Sequence, residues 1–151
     1  MSATAYFLSM ASKEVALAFI EKVRWHGSPE CPYCRSQKVS PHQSADRKVS
    51  RWQCGVCSRS FSAMIGTPLQ GTKLDPREWM AVASIIVERR RPLSVRQIAR
   101  DTGVRPATIW GIRRKLKELD ATSDPQLSFV HALIRQAQRD EEERAILRRQ
   151  P

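Results

Sequence analysis

The chain has 151 residues, enough for one ordinary domain or two small ones, and a formal net charge of +11. No apolar run reaches the about 18 residues that a membrane span needs. The N-terminal stretch MSATAYFLSM lacks the basic segment of a secretory signal. We therefore expect a protein of the reducing cytosol.

The positive charge lies in the first 120 residues. Residues 1–70 carry 9 Lys and Arg against 4 Asp and Glu, residues 71–120 carry 12 against 6, and residues 121–151 carry 5 of each. An excess of this size attracts phosphate polyanions such as nucleic acids. A generic basic surface is the alternative that charge alone leaves open.

The first predicted helix covers residues 12–25. Ser12 is suited to an N-cap, and apolar residues recur from Val15 to Val23 at helical spacing. The stretch HGSP, residues 26–29, ends the helix. We expect residues 1–28 to form one N-terminal helical segment that packs on the ribbon predicted next.

All four cysteines lie between residues 31 and 57, as two C-x2-C pairs separated by nineteen residues. Structural disulfides are rare in a reducing compartment, and this spacing is typical of a zinc site. Each pair can form a tight knuckle, and two knuckles complete a tetrahedron of sulfurs. We therefore predict one structural Zn²⁺ bound by Cys31, Cys34, Cys54 and Cys57. We predict no catalytic residue.

The cysteine pattern allows two other interpretations, a redox dithiol and a site with a histidine ligand. A single C-x-x-C could be a redox dithiol, but no βαβ pattern surrounds either pair. His26 or His42 could replace a ligand, but four cysteines already fill the shell. The segment between the pairs predicts short strands around Val39, Val49 and Trp52, a loop over residues 41–46, and Phe61 packed beside the second knuckle. Residues 29–65 are thus predicted to form a zinc ribbon.

Residues 66–74, GTPLQGTKL, predict a turn-rich connector. A helix then opens with a capping box in which Asp75 caps, Pro76 takes the first helical position and Glu78 the third. Arg89–Arg91 follow at its C-terminal end, where the helix dipole favours cations. Its apolar stripe consists of Trp79, Val82, Ala83, Ile86 and Val87.

Residues 91–119 predict a helix-turn-helix. Ser94 and Gln97 form a capping box, Gly103 supplies the turn, and Arg105-Pro106 begins the second helix. Ile98 and Ala99 are expected to face inward from the first helix, and Val104 to cover the turn. Ile109, Ile112 and Leu116 should pin the second helix against the first. The domain is expected to span residues 75–120.

That packing leaves a polar face for DNA. Arg105 and Thr108 lie near the start of the second helix, the end that meets base edges, whereas the later cations suit phosphates. A plain helical hairpin with a solvated basic face is the alternative. The predicted DNA contacts are Arg96, Arg105, Ala107, Thr108, Trp110, Gly111, Arg113, Arg114, Lys115 and Lys117.

The tail, residues 121–151, predicts a helix from about Pro125 to Arg149, capped by Ser123 or Asp124. Leu127, Val130, Ile134 and Ala137 repeat with heptad-like spacing before a charged run. This face could form a homodimer through residues 125–149 or fold back on the body. His131 is expected to be solvated.

These motifs, in this order, resemble the N-terminal half of insertion-sequence transposases of the IS1595 type, over about residues 12–118. Their ribbon runs into a phrase close to F-S-x-x-x-G-T-x-x-x-G-T-K-L, which residues 61–74 match, and Trp79 matches a tryptophan in the next helix. The resemblance implies a zinc ribbon and a helix-turn-helix that recognise transposon-end DNA. Arg35 stands where that family usually has glycine, which implies a left-handed backbone on a non-glycine residue.

The family continues into a nuclease domain with three metal-binding acids. Only about 33 residues follow Glu118, and Asp140–Glu143 form one helical charge run that cannot converge on two metal ions. We therefore expect a prokaryotic or phage-encoded, cytoplasmic and nucleoid-associated protein that binds double-stranded DNA without being an enzyme. It would be a transcriptional regulator or a mobile-element accessory factor. The alternatives are a truncated DNA-binding part of an active transposase, or a zinc-ribbon adaptor that docks on RNA polymerase or another protein.

Overall fold

The computed structural model describes residues 3–42, 51–88 and 91–151. The predicted fold class, mainly helical with a small β zinc ribbon, is confirmed. Val49, the loop that reaches Asp46, and Arg89 and Arg90 lie outside the described residues. The elements in chain order are α1 (Ala3–Leu8), α2 (Lys13–Trp25), β1 (Val39–Pro41), β2 (Trp52–Cys54), β3 (Ser60–Phe61), α3 (Pro76–Glu88), α4 (Val95–Thr102), α5 (Pro106–Ala121) and α6 (Pro125–Arg149).

Helix α2 begins and ends where the sequence predicts. The Ser12 hydroxyl accepts a hydrogen bond from the Val15 N–H at 3.2 Å, and His26 ends the helix in a left-handed conformation with φ of 49°. Phe19 and Ile20 are buried in the helical core rather than against the ribbon. Among the described residues, the C-terminal end of α2 contacts the ribbon through Glu21, Arg24 and Trp25, so this helix packs on two neighbours instead of on the ribbon alone.

Helix α1 is an additional element, since residues 1–28 hold two helices instead of the one expected over residues 12–25. Tyr6, Phe7 and Phe19 form an aromatic cluster with ring centroids 5.7–6.0 Å apart. The Thr4 hydroxyl lies 2.7 Å from the hydroxyl of Ser84 on α3. Six residues form too short a helix to be stable alone, so these tertiary contacts are what hold α1.

Helix α3 is the centre of the helical body. The expected apolar stripe is present, but Met80, Ala81, Ser84 and Ile85 are buried as well. A helix buried on nearly all sides has neighbours on several faces, and here these are α1, α2, α4, α5 and α6. At its start, Asp75 Oδ1 accepts from the Arg77 N–H at 2.9 Å.

Helices α4 and α5 are joined by a three-residue turn. The Ser94 hydroxyl accepts from the Gln97 N–H at 3.1 Å, but the Gln97 amide bonds to Asp101 at 2.9 Å instead of closing the predicted box. Gly103 ends α4 with φ of 74°. Ile98, Val104, Ile109, Ile112 and Leu116 are buried as predicted.

Helix α6 folds back on the body, one of the two arrangements that its sequence allowed. Asp124 caps it by accepting from the Gln126 N–H at 2.9 Å. Val130, Leu133, Ile134 and Ala137 are buried against the other helices, so the heptad-like face is covered within one chain. In the part of the chain that the structure describes, no helix is long and apolar enough to cross a membrane.

Candidate metal centre and nucleic-acid interface

The ribbon is a three-stranded antiparallel sheet in the order β1-β2-β3. Val39 pairs with Cys54, and Trp52 pairs with Phe61. Gly55 lies where the chain turns at the end of β2, and its N–H donates to the Lys38 carbonyl at 2.7 Å. A Cβ at this position would stand 3.1 Å from that same oxygen. The sheet therefore brings the second cysteine pair beside the first, and a side chain at position 55 would crowd the contact.

The four cysteine sulfurs converge on one point. The Sγ atoms of Cys31 and Cys57 are 3.6 Å apart, those of Cys34 and Cys54 are 3.5 Å apart, and all four lie within 4.8 Å of one another. Zinc–sulfur bonds of about 2.3 Å in a tetrahedron require sulfur separations of about 3.8 Å. The site fits one structural Zn²⁺ with a complete thiolate shell, as predicted.

Backbone amides prepare Cys54 for a metal. The N–H groups of Cys57 and Val56 donate to Cys54 Sγ at 3.4 and 3.3 Å. These bonds, first that of Cys57, lower the pKa of the Cys54 thiol to about 6 against the opposing effect of its burial. A thiolate is the form that binds zinc, and the amide groups of the folded knuckle favour that form at Cys54.

Both knuckles end in a left-handed residue that is not glycine. Arg35 has φ of 61° and Ser58 has φ of 64°. Their N–H groups donate to the carbonyls of Cys31 and Cys54, at 2.9 and 3.1 Å, which closes each knuckle in the same way. The left-handed backbone expected at Arg35 is confirmed, and the strain at each site is about 1–2 kcal/mol.

Three side chains of α2 contact the described residues of the ribbon. The Trp25 ring meets Trp52 and Phe61 edge-on, with centroids 6.1 and 5.9 Å away. The Trp52 indole N–H donates to Glu21 at 3.0 Å; burial raises the pKa of Glu21, and this bond opposes the shift. Arg24 donates to the Ala63 carbonyl at 2.6 Å. Phe61, fully buried beside Cys31 and Cys54, fills the ribbon core as predicted.

The predicted DNA contacts lie mainly on the exposed face of α5. Trp110 is 58% exposed despite its size. Arg96 is exposed on α4, and Thr108 is half-buried. The exposed members on α5 and its N-cap are Arg105, Ala107, Trp110, Gly111, Arg114 and Lys117.

Like Thr108, the predicted phosphate contacts Arg113 and Lys115 are partly buried on that face. Arg113 is half-buried, donates to the Leu93 carbonyl at 2.7 Å and lies 5.7 Å from the Trp110 ring centroid. It therefore ties α5 to the segment before α4. Lys115 is half-buried too. Helical spacing could not reveal the Arg113 contact, because the Leu93 carbonyl is twenty residues away.

The structure adds a site that the motifs did not suggest. A groove of about 450 Å³ lies between the connector and the start of α5, with Lys73 on one side and Arg105 and Thr108 on the other. Lys73 and Arg105 are exposed. Because about 30 residues separate the two walls, only the fold brings them together. The connector lysine therefore borders the predicted base-reading end.

The acidic run of α6 has structural partners. Asp140 accepts from the Tyr6 hydroxyl at 2.9 Å and from the Gln136 amide at 2.7 Å, and Glu141 is buried, 3.7 Å from Arg148. His131 is half-buried and lines an apolar cavity with Leu127 rather than being solvated. Asp140 therefore joins α6 to α1, whereas Glu141 pairs within its own helix.

The family comparison agrees with the metal centre. Residues 11–60 match the transposase zinc-ribbon domain, a span that holds α2 and both knuckles and covers about a third of the chain. Comparison with curated proteins and with solved structures gave no match. The fold and the site define a zinc-ribbon protein whose ribbon is similar to those of transposases.

Proposed function

We propose that this chain is a sequence-specific duplex DNA-binding protein in which α4, the Gly103 turn and α5 act as a helix-turn-helix. The observation that carries the proposal is the division of α5 into two faces. Ile109, Ile112 and Leu116 are buried against the body, whereas Arg105, Trp110 and Arg114 are exposed. The exposed cations run from Arg105 to Lys117, and the exposed acids Glu118 and Asp120 follow only in the last turn. A helix fixed on one side and basic towards its N-terminal end on the other suits the major groove.

Charge and the ribbon support the same proposal. From residue 31 to residue 74 the sequence holds seven Lys and Arg and one acid, Asp46. The ribbon and the segment that leads to α3 therefore carry an excess of positive charge beside a helical body that is also basic. The similarity of residues 11–60 to a transposase zinc-ribbon domain favours DNA over other polyanions.

Selection of bound sequences from a random duplex library tests the proposal directly. We expect enrichment of one site and an affinity that falls steeply with salt, by a slope of about −0.9 for each phosphate contacted. A palindromic site with half-sites about one helical turn apart would also reveal a dimer.

Single variants separate base contacts from phosphate contacts. Arg105→Ala and Thr108→Ala should relax the base preference by about 1–3 kcal/mol at single positions, while Arg114→Ala should weaken all duplexes alike. If binding to the selected site survives both Arg105→Ala and Thr108→Ala unchanged, α5 is not the recognition helix.

We propose further that the 151-residue chain binds DNA without cutting it, as a transcriptional regulator or a mobile-element accessory factor. The acids of α6 support this, since Asp140 and Glu141 are engaged with Tyr6, Gln136 and Arg148. Incubation of the purified chain with its selected duplex and Mg²⁺ should leave both strands intact. Mg²⁺-dependent strand cleavage would instead favour an active transposase.

A protein adaptor is the second candidate, and the knuckle tips favour it. Tyr33 and Val56, inside the two C-x2-C pairs, are 45% and 60% exposed, and Arg59 lies 4.8 Å from the Tyr33 ring centroid. Exposed apolar groups of this kind can dock on another protein, such as RNA polymerase. Direct binding to purified polymerase that is lost in Tyr33→Ala, without any affinity for DNA, would favour the adaptor.

A further inference from the structure

The groove between the connector and α5 points to a contact beyond those on the recognition helix. We propose that Lys73 binds a DNA backbone phosphate that flanks the bases met by Arg105 and Thr108. The inference rests on the proposed duplex binding and adds to it a residue outside the helix pair. Thr72–Leu74 and Glu78 line one side of the groove, and Gly103–Arg105 and Thr108 line the other.

The loop that carries Lys73 is anchored on both sides. Leu69 is fully buried, and its carbonyl accepts from the Thr72 N–H at 3.2 Å. After Lys73, the Leu74 N–H donates to the Thr72 hydroxyl at 3.2 Å, and the Leu74 side chain packs against the helical core. The backbone at Lys73 is therefore held in place while its side chain is exposed. A cation on a fixed loop loses less conformational entropy on binding than one on a mobile chain.

Charges within the groove favour a phosphate. Lys73 and Arg105 face it from two different segments, and the Arg105 side chain is not used to cap α5. Asp75, close by in sequence, is already paired with Arg77 at 2.9 Å. Glu78 is the acid that lines the groove, and it opposes the two cations.

The position of the groove favours duplex DNA over an acidic peptide. It opens at the N-terminal end of α5, which is the end that meets base edges in helix-turn-helix proteins. Phosphates border those base edges on both walls of the major groove, and contacts to them set the register of the protein without reading sequence. A fixed lysine beside the reading end suits that role.

Salt-dependent binding of the full chain to its selected duplex tests the role of Lys73. Lys73→Gln should weaken binding several-fold to every duplex and reduce the salt slope by about 1, whereas Lys73→Arg should restore it. The preference for the selected site over a scrambled duplex should stay the same in both variants. Arg135→Gln removes the same charge from an exposed position on α6 and should leave the slope unchanged.

Glu78→Gln gives a result of opposite sign. Removal of this like charge should tighten duplex binding several-fold at low salt and less at high salt, since salt screens the repulsion. A variant that only disturbed folding would not bind more tightly.

The outcomes separate this proposal from the proposed function. If Lys73→Gln keeps the wild-type salt slope while Arg105→Ala loses the selected site, the phosphate contact is wrong and the DNA-binding proposal stands. If the wild-type chain binds no duplex but binds an acidic peptide that Lys73→Gln fails to hold, both proposals are wrong.

Discussion

Two glycines in the α4–α5 region have different backbone conformations, left-handed at Gly103 and helical at Gly111. Gly103 has φ of 74° at the end of α4, a conformation that favours glycine. Gly111 lies inside α5 with an ordinary helical backbone and nothing within 4 Å of an added Cβ. The same substitution should therefore have opposite effects on stability at the two sites.

Gly103→Ala should lower the free energy of unfolding by about 1 kcal/mol, because alanine is strained in the left-handed region. Gly111→Ala should raise it by about 0.5–1 kcal/mol, because alanine loses less entropy in a helix than glycine. Urea denaturation of both variants measures the difference. Equal shifts in the two variants would mean that the turn does not have the left-handed backbone described.

Tyr6 ties α1 to α6 through its hydroxyl. Burial and the hydrogen bond to Asp140 raise the pKa of Tyr6 to about 12. Its ordinary pKa is about 10. The stability that this group contributes is therefore fully present below pH of about 10 and is lost as the pH rises through about 12.

Tyr6→Phe should lower the free energy of unfolding by about 1–2 kcal/mol at neutral pH, because a partly exposed bond to a carboxylate is lost. The gap between the variant and the wild type should close between pH of about 10 and 12. Thermal denaturation across that range measures it. A gap that stays constant up to the highest pH would mean that the hydroxyl is not bonded to Asp140.

At the scale of elements, the ribbon depends on its ion more than on apolar packing. Its described strands have three, three and two residues, and the buried core among its described residues is Cys31, Cys54 and Phe61. Such a core buries too little apolar surface to fold alone. Structural zinc contributes on the order of 10 kcal/mol in small peptides.

Chelation should unfold residues 29–63 before the helical body. Amide exchange at Trp52 and Cys54 should become fast, while exchange in the middle of α3 stays slow. The fluorescence of Trp25 and Trp52 should change as their edge-on contact is lost. Cys31→Ser should produce the same pattern without a chelator, and a ribbon with unchanged exchange after prolonged chelation would contradict the zinc assignment.

For the whole molecule, α6 packs against four of the other helices. Its apolar face contacts α1, α2, α3 and α5, so a dimer through residues 125–149 could not use that face without undocking it. Ile146 and Leu147, near its end, are 58% and 63% exposed. The homodimer stays a prediction, and these exposed apolar positions are where we expect its contact.

A matched pair of leucine substitutions tests the docking of α6. Leu133 is 1% exposed, so Leu133→Ala should lower the free energy of unfolding by about 2–5 kcal/mol. Leu147→Ala makes the same chemical change at an exposed position and should have almost no effect on stability. A dimer that dissociates in Leu147→Ala, seen by sedimentation, would place the contact at the end of α6.

The cysteine spacing and the helix caps could be predicted from sequence because their causes are local. Two C-x2-C pairs at this spacing are a local signal for a zinc site, and Ser12, Ser94 and Asp124 each bond to an N–H two or three residues away. Burial of Ile109 and Ile112 followed from helical spacing for the same reason. The left-handed backbone at Arg35 was instead an expectation from the resemblance to a family that usually has glycine there.

Contacts between distant segments could not be predicted in this way. Helix α1 is stabilised because Tyr6 and Phe7 pack against Phe19. Arg113 is half-buried because it donates a hydrogen bond to the Leu93 carbonyl. Lys73 and the start of α5 line one groove only in the folded chain. The sequence by itself therefore determined the metal ligands and the ends of the main helices, whereas the tertiary structure decided which face of each helix remained exposed, because burial is shared among segments that no local pattern connects.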